Sequence, residues 1–293
     1  MSKKSLIESL KNVIKENKED SYGTAVKRER LLKLAMSQIR EQYKIKDVSQ
    51  LKQKHINYLV ERWKSENLSV GTLKNRMSNL RWLANKINNP QIVKRDNADY
   101  GIDRRKYVDN DKNIAKQLDN NKLEKITDRN VYYSLLLQKN FGLRREESIK
   151  FNPSYADKND HISLKGSWCK GGRPREIPIR TQEQRELLNE IKAYLKLHHQ
   201  TALIPQNSNF VQQLQSYEYQ TISVGETHNH GLRHQYAQDL YKSLTGFECP
   251  KCGGLTSRQL TNEQKEIDHT ARMIISRELG HNREEITTNY LGR

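Results

Sequence analysis

Six polar side chains, spread over four separated stretches, form a chemical set: Arg144, Lys170, His230, Arg233, His281 and Tyr290. They lie in Gly142-Leu143-Arg144-Arg145-Glu146-Glu147, in Cys169-Lys170-Gly171-Gly172-Arg173-Pro174-Arg175, in His230-Gly231-Leu232-Arg233-His234 and in Leu279-Gly280-His281, with Tyr290 nine residues after that last histidine. Two guanidiniums, an ammonium, two imidazoles and a phenol suit the attack of a tyrosine on a DNA phosphodiester without a metal. Such a reaction needs a nucleophile for phosphorus, charge for the non-bridging oxygens and a proton for the leaving 5′ oxygen. Guanidinium forks match phosphate geometry and stay charged, so Arg144 and Arg233 are candidates for a two-sided clamp. Preorganised charge of this kind is usually the largest catalytic term, roughly 100- to 1,000-fold per donor. A phenol ionises near pH 10, so Tyr290 as nucleophile needs cations or a base beside it. His230 falls three residues before Arg233, on one side of a helix, where it could take the phenol proton or orient the phosphate. His281 could donate to a non-bridging oxygen. Lys170, in a Gly-rich turn, is a candidate general acid for the leaving oxygen, with Lys165 as its rival. Taken alone, Arg144 and Glu147 would read as a surface ion pair, and Tyr290 as a core aromatic.

These residues need a scaffold, and the pattern predicts a mostly α chain with a small antiparallel β-sheet. Leu32, Ala35, Met36, Ile39 and Tyr43 recur at helical spacing, as do Ile56, Leu59, Val60 and Trp63. Ser69 reads as an N-cap before Leu73, Met77, Leu80, Leu83 and Ile87, and Asn88-Asn89-Pro90 ends that helix. Lys74, Arg76 and Arg81 lie off that stripe and are candidate DNA contacts. The expected division is a helical bundle over residues 1–92, a polar linker over 93–112 and a second domain over 113–293. In the second domain Phe141-Gly142 reads as a helix end. His161–Lys165 and Arg175–Ile179 read as two strands joined by the turn that carries Lys170. Arg173 and Arg175 beside that turn are further candidate DNA contacts. Helices are expected at 182–199, about 230–244 and 262–280.

The four boxes, in this order, resemble the tyrosine recombinase (phage integrase) family. The resemblance covers about the last 180 residues well and the first 100 more loosely. Gly142-Leu143-Arg144 with Glu147 is similar to the family's first arginine turn. Lys170-Gly171-Gly172, Arg175 and Ile177-Pro178-Ile179 are similar to its lysine hairpin. Residues 230–234 match its His-x-Leu-Arg-His box, and 279–290 match its Leu-Gly-His box with the tyrosine nine residues on. Each box alone is weak; four in order, with that spacing, are specific. The resemblance implies a SAM-like core-binding domain joined to a catalytic domain in a C-shaped clamp. It also implies a 3′-phosphotyrosyl intermediate with no cofactor, and a homotetramer on double-stranded DNA carrying specific sites. Accessory DNA-bending or directionality proteins are expected partners. A chromosome-dimer resolvase, a type IB-like topoisomerase or a silent DNA-binding regulator would share much of the pattern. Two departures stand out: an insertion around 244–264, expected as a surface loop near DNA or a neighbouring subunit, and the lack, after Tyr290, of the family's docking helix.

The composition agrees with a polyanion as partner. The 293 residues carry a formal net charge of +17, with 22 of the 52 Lys and Arg but only 11 of the 35 Asp and Glu in residues 1–100. Phosphate neutralisation is the usual use of such an excess. Mean hydropathy is -0.97, no run approaches the roughly 20 apolar residues of a membrane span, and Met1-Ser-Lys-Lys-Ser lacks an apolar signal core. A cytoplasmic, nucleoid-associated protein is expected. Three cysteines exclude a disulfide framework. Cys249-Pro250-Lys251-Cys252 looks like half a zinc knuckle; without a second pair it reads as a reduced pair in a tight turn, and no metal is expected. His234 reads as packing, His228 as a loop residue and His198-His199 as a surface pair.

Overall fold

The computed structural model describes residues 5–19, 21–106 and 108–293. The N-terminal tetrapeptide, part of the stretch read as lacking a signal core, lies outside them, as does residue 107 of the expected linker. The chain divides into two compact units, Met1–Lys106 and Tyr107–Arg293. Among the described residues no helix is long and apolar enough to cross a membrane.

Among the described residues, the α-helices of the first unit are α1 (Leu6–Glu16), α2 (Tyr22–Gln42), α3 (Gln53–Ser65) and α4 (Val70–Lys86). Each buries the stripe its spacing dictates: Leu32, Met36 and Ile39 from α2, Ile56, Leu59 and Trp63 from α3, Met77, Leu80 and Leu83 from α4. Ser5 and Glu8 form a reciprocal cap at the start of α1, satisfying two otherwise orphaned amides. The buried indole of Trp63 donates to Gln38 Oε1 at 2.8 Å, so its polar edge is not stranded. Residues 93–102 are not a free linker. Val93, Tyr100 and Ile102 are buried in this same core, in short turns whose irregular apolar spacing carries no period.

Two of the three basic residues expected to face phosphates in this unit are already engaged. The Arg76 guanidinium lies 4.8 Å from the Trp63 ring centre. Arg81 donates to the Lys94 carbonyl at 3.0 Å and to Asn97 Oδ1 at 2.8 Å. Both therefore serve the bundle's own packing, while Lys74 remains half-buried beside them.

The second unit begins with α5 (Asn120–Leu123), α6 (Arg129–Phe141), α7 (Arg145–Ile149) and α8 (Pro153–Ala156). A hairpin follows, β1 (His161–Leu164) antiparallel to β2 (Arg175–Pro178), with His161 opposite Pro178 and Leu164 opposite Arg175. Then come α9 (Gln182–Leu197), α10 (Phe210–Ser223), α11 (His230–Thr245), α12 (Asn262–Glu278) and the short α13 (Thr288–Leu291). Helix α11 packs against α6, α12 and α13, so it runs through the middle of the unit. Phe141, Leu143, Ile162, Ala237, Ile275 and Leu291 meet in its core. Helix α10 buries Gln213, Tyr217 and Thr221, with Phe210 and Leu214 packed in the same cluster as Tyr217, while Val211, Tyr219 and Ile222 face outward.

Helix α6 ends at Gly142 in the left-handed conformation (φ 59°). A methyl group there would stand 2.4 Å from the Tyr236 ring. Gly142→Ala is thus expected to destabilise the protein by about 2 kcal/mol or more, combining the left-handed cost with overpacking. Urea unfolding would measure it; an unchanged midpoint would show that neither the turn nor the ring contact constrains this position.

Candidate active site

The site is built where four chain ends converge. Arg144 opens α7, directly after the Gly142 turn. His230 and Arg233 occupy the first turn of α11. His281 follows the end of α12, and Tyr290 lies in α13. Gly280, between α12 and His281, has φ 67° and lets Arg144 and Arg175 approach: a Cβ there would lie 3.3 Å and 3.1 Å from their side chains. The Leu-Gly-His box is therefore a turn that leaves room for guanidiniums.

Arg144 Nη2 donates to the Leu279 carbonyl at 2.9 Å, and Arg233 Nη2 donates to the same oxygen. Two guanidiniums from distant segments thus aim at one acceptor. Arg233 is buried (1% exposed), donates through Nη1 to the Gly142 carbonyl at 2.5 Å, and places Nε 3.3 Å from the Tyr290 hydroxyl. Burial pushes its pKa down to about 10, with Arg144 and Arg175 adding to the fall, so it stays charged at neutral pH. Nε2 of His281 is 3.4 Å from Arg144 Nη2 and 3.5 Å from the Tyr290 hydroxyl. Burial, then the charges of Arg233, Arg144, Arg175 and Lys170, lower the His281 pKa to about 4. Its Nε2 thus faces both the Arg144 guanidinium and the Tyr290 hydroxyl. His230 is likewise lowered by burial and by Arg233 and Arg144, and its ring centre is 6.4 Å from that of Tyr290. His234 packs on Tyr290 at 4.6 Å between ring centres. Tyr290 itself is buried, at 6% exposure.

Lys170 occupies a turn between the strands, exposed, and its charge is felt at His281. Its rival Lys165 is committed elsewhere, with its ammonium 4.1 Å from the Tyr155 ring centre and 5.7 Å from that of Trp168. Arg173 is exposed.

Arg175, expected as an exposed DNA contact, lies inside the unit. It is buried, and its fork grips Glu147 through Nη1 at 2.7 Å and Nη2 at 2.6 Å, while Nε donates to the Glu278 carbonyl at 2.7 Å. The position alternates inward on β2, so its side chain enters the core and needs a counter-charge. Glu147 also accepts from Arg144 Nη1 at 2.9 Å and from the Arg144 backbone amide at 2.6 Å. Burial alone would raise the Glu147 carboxyl; Arg175 overrides it, Arg233 and Arg144 help, and the pKa falls to about 2. One buried carboxylate therefore anchors the arginine cluster. The signal for it was in the sequence, an acid three residues after Arg144; the partner, Arg175, was not.

The insertion is no free surface loop. Cys249 and Pro250 are buried, and Lys251 Nζ donates to the Asn289 carbonyl at 2.8 Å, on the tyrosine's own helix. The two thiols are free, Cys252 lying 3.2 Å from Gln238 Oε1. Cys169 lies beside Arg175 at 3.4 Å and His269 beside Glu284 at 2.8 Å.

Comparison with known proteins agrees with this arrangement. A phage integrase N-terminal family profile matches residues 1–92, and an integrase family profile matches residues 110–239. The chain belongs to the phage integrase family of tyrosine recombinases. The integrase match ends before His281 and Tyr290, which the fold brings to the site. Among solved structures, the Tn1549 transposon integrase bound to circular-intermediate DNA aligns with a TM-score of 0.57 at 15% identity, over 99% of this chain and 96% of that one. Lambda integrase (75–356), a dimer on a COC′ core site, gives 0.60 at 14%, over 97% and 94%. XerH recombinase on difH substrate gives 0.57 at 16%, over 97% and 80%. No curated protein matches. The recombinase is a tyrosine-type, site-specific enzyme of DNA strand cleavage and rejoining, in a mostly helical fold with a two-stranded antiparallel sheet.

Proposed function

We propose that this recombinase moves a mobile genetic element, integrating or excising it, with Tyr290 as the nucleophile. The observation that carries the residue roles is the gathering of Arg144, Arg233, His281 and the Tyr290 hydroxyl within hydrogen-bonding reach of one another. The Tyr290 oxygen attacks the scissile phosphorus; a 3′-phosphotyrosyl bond forms and the bond to the 5′ oxygen breaks. Arg144 and Arg233 neutralise the non-bridging oxygens, replacing the Leu279 carbonyl they now share with phosphate oxygens. The phenol proton passes to a neutral imidazole. The 3.5 Å separation supports His281 for this, with His230 orienting the phosphate. Lys170, exposed on its turn, protonates the leaving 5′ oxygen. A second 5′ hydroxyl then reverses the step, so the bond energy is retained and neither cofactor nor metal is called for.

The mobile-element reading draws on the likeness to the transposon integrase. The two units would take opposite faces of double-stranded DNA, with residues 1–106 and the exposed Arg173 supplying phosphate contacts, and four protomers would join two recombination sites. Accessory DNA-bending or directionality proteins would choose between integration and excision. The place of action would be the nucleoid, in the cytoplasm.

The test is a nicked suicide substrate carrying candidate element ends, incubated with the protein in chelator. A covalent adduct on a denaturing gel is expected, and mass spectrometry of its peptides should find the phosphate on Tyr290. Attachment at any other residue would remove Tyr290 from this role. Tight binding of cognate ends without adduct would turn the reading toward a regulator.

A further inference from the structure

Helix α13 has four residues, too few to satisfy its own carbonyls. Side chains from other elements take them. Lys251 Nζ donates to the Asn289 carbonyl at 2.8 Å, Gln238 Nε2 to the Tyr290 carbonyl at 2.9 Å, and Arg272 Nη1 to the Gly292 carbonyl at 3.0 Å. Gln238 is the one that grips the tyrosine's own residue. It is buried (4% exposed) and lies on α11, five residues after Arg233. The same helix therefore holds Tyr290 at both ends, the hydroxyl through Arg233 and the backbone through Gln238.

The Gln238 amide is itself held. It donates from Nε2 to Asn113 Oδ1 at 2.9 Å and accepts at Oε1 from Asn113 Nδ2 at 3.2 Å, a paired amide exchange. The Cys252 thiol adds a contact to Oε1 at 3.2 Å. Two donors around Oε1 and two acceptors around Nε2 leave one favourable orientation; flipped, the amide would set oxygen against the Tyr290 carbonyl. Asn113 is fixed in turn by accepting the Ala115 amide at 3.0 Å and donating to the Lys251 carbonyl at 3.3 Å.

We propose that Gln238 is a positioning residue for the nucleophile, and that Asn113 keeps its amide turned to do so. This rests on Tyr290 being the attacking group. In-line attack needs the reacting atoms near contact, and a 1 Å displacement costs on the order of 100-fold. Pinning the tyrosine carbonyl fixes the Cα from which the phenol projects. Residue 113 lies at the start of the catalytic unit's chain, so its hold on Gln238 ties that strap to the position of the tyrosine.

The test is single-turnover cleavage of the nicked substrate at saturating DNA, with the dissociation constant measured separately. Gln238→Met keeps the side chain's length and removes the amide. Cleavage is expected to slow about 10- to 100-fold, with affinity within about two-fold. Asn113 is exposed, so Asn113→Ala leaves the core intact; it should slow cleavage by about 3- to 10-fold, the worth of a hydrogen bond. Added to Gln238→Met, it should slow cleavage no further, because both act on one contact. Wild-type cleavage by Gln238→Met overturns the proposal. So does a parallel loss of affinity and rate in both variants, which would mark a merely structural role. Tyr290→Phe, run alongside, separates the two ideas: if it still forms adduct, the nucleophile assignment itself has failed.

Discussion

Tyr290→Phe is expected to bind recombination-site DNA with affinity within about two-fold of the parent and to form no covalent adduct at all. The two halves of this expectation come from different parts of the side chain. The ring is buried and packs on His234 at 4.6 Å, and phenylalanine keeps that packing. The hydroxyl has two polar neighbours, Arg233 Nε at 3.3 Å and His281 Nε2 at 3.5 Å. Losing long contacts of this kind costs about 1 kcal/mol in stability or less, so the variant should fold. Catalysis through a phosphotyrosine has no substitute for the missing oxygen. The measurement is the suicide-substrate gel beside a filter-binding curve. Adduct in the Phe variant would mean another residue attacks; loss of DNA binding would mean the hydroxyl serves structure first.

Much of this site was legible before any fold was known, because the motifs carry their own local geometry. Gly142 before Arg144 and Gly280 before His281 mark turns, and turns place side chains whatever surrounds them. The His230 and Arg233 pair needs only one helical turn. What stayed hidden depends on contacts across long stretches of chain. Arg175 read as a surface cation because its partner Glu147 is 28 residues away, while the adjacent Glu176 alternates to the exposed face of β2. Helix α10 was hidden because its apolar residues point both ways: Phe210, Leu214 and Tyr217 pack inward, while Val211, Tyr219 and Ile222 are exposed. The first part of the expected linker over 93–112 belongs to the bundle instead, because Val93, Tyr100 and Ile102 are buried from turns, where no repeat applies. The Gln238 hold on Tyr290 joins positions 52 residues apart.

Glu147→Gln is expected to lower stability by about 3–5 kcal/mol, and with it the thermal midpoint by roughly 10 °C. The carboxylate is fully buried and is shared by Arg175 in bidentate fashion and by Arg144. Its removal strands Arg175, which has no exposed route to water, and sets an amide N–H against guanidinium N–H groups. Pairs at the surface give the contrast. Arg145 and Glu218 meet at 2.9 Å with about half of each side chain exposed, and Arg145→Ala should change stability by less than about 1 kcal/mol. The sign with pH follows from the direction of the Glu147 shift. Its folded pKa, about 2, lies below the ordinary 4.5, so its stabilisation is complete above pH 4.5 and is lost as pH falls toward 2. The parent should therefore lose stability across that window, while Glu147→Gln, already without the charge, should show a flatter acid limb. Thermal unfolding of both proteins between pH 5 and pH 3 checks this; parallel curves would show that acid denaturation begins elsewhere. Because the same carboxylate orients Arg144, the surviving folded fraction of Glu147→Gln should also cleave more slowly at neutral pH. The arginine cluster is thus one electrostatic unit, in which the carboxylate that holds Arg175 in the core also orients Arg144, a cation proposed to meet the scissile phosphate.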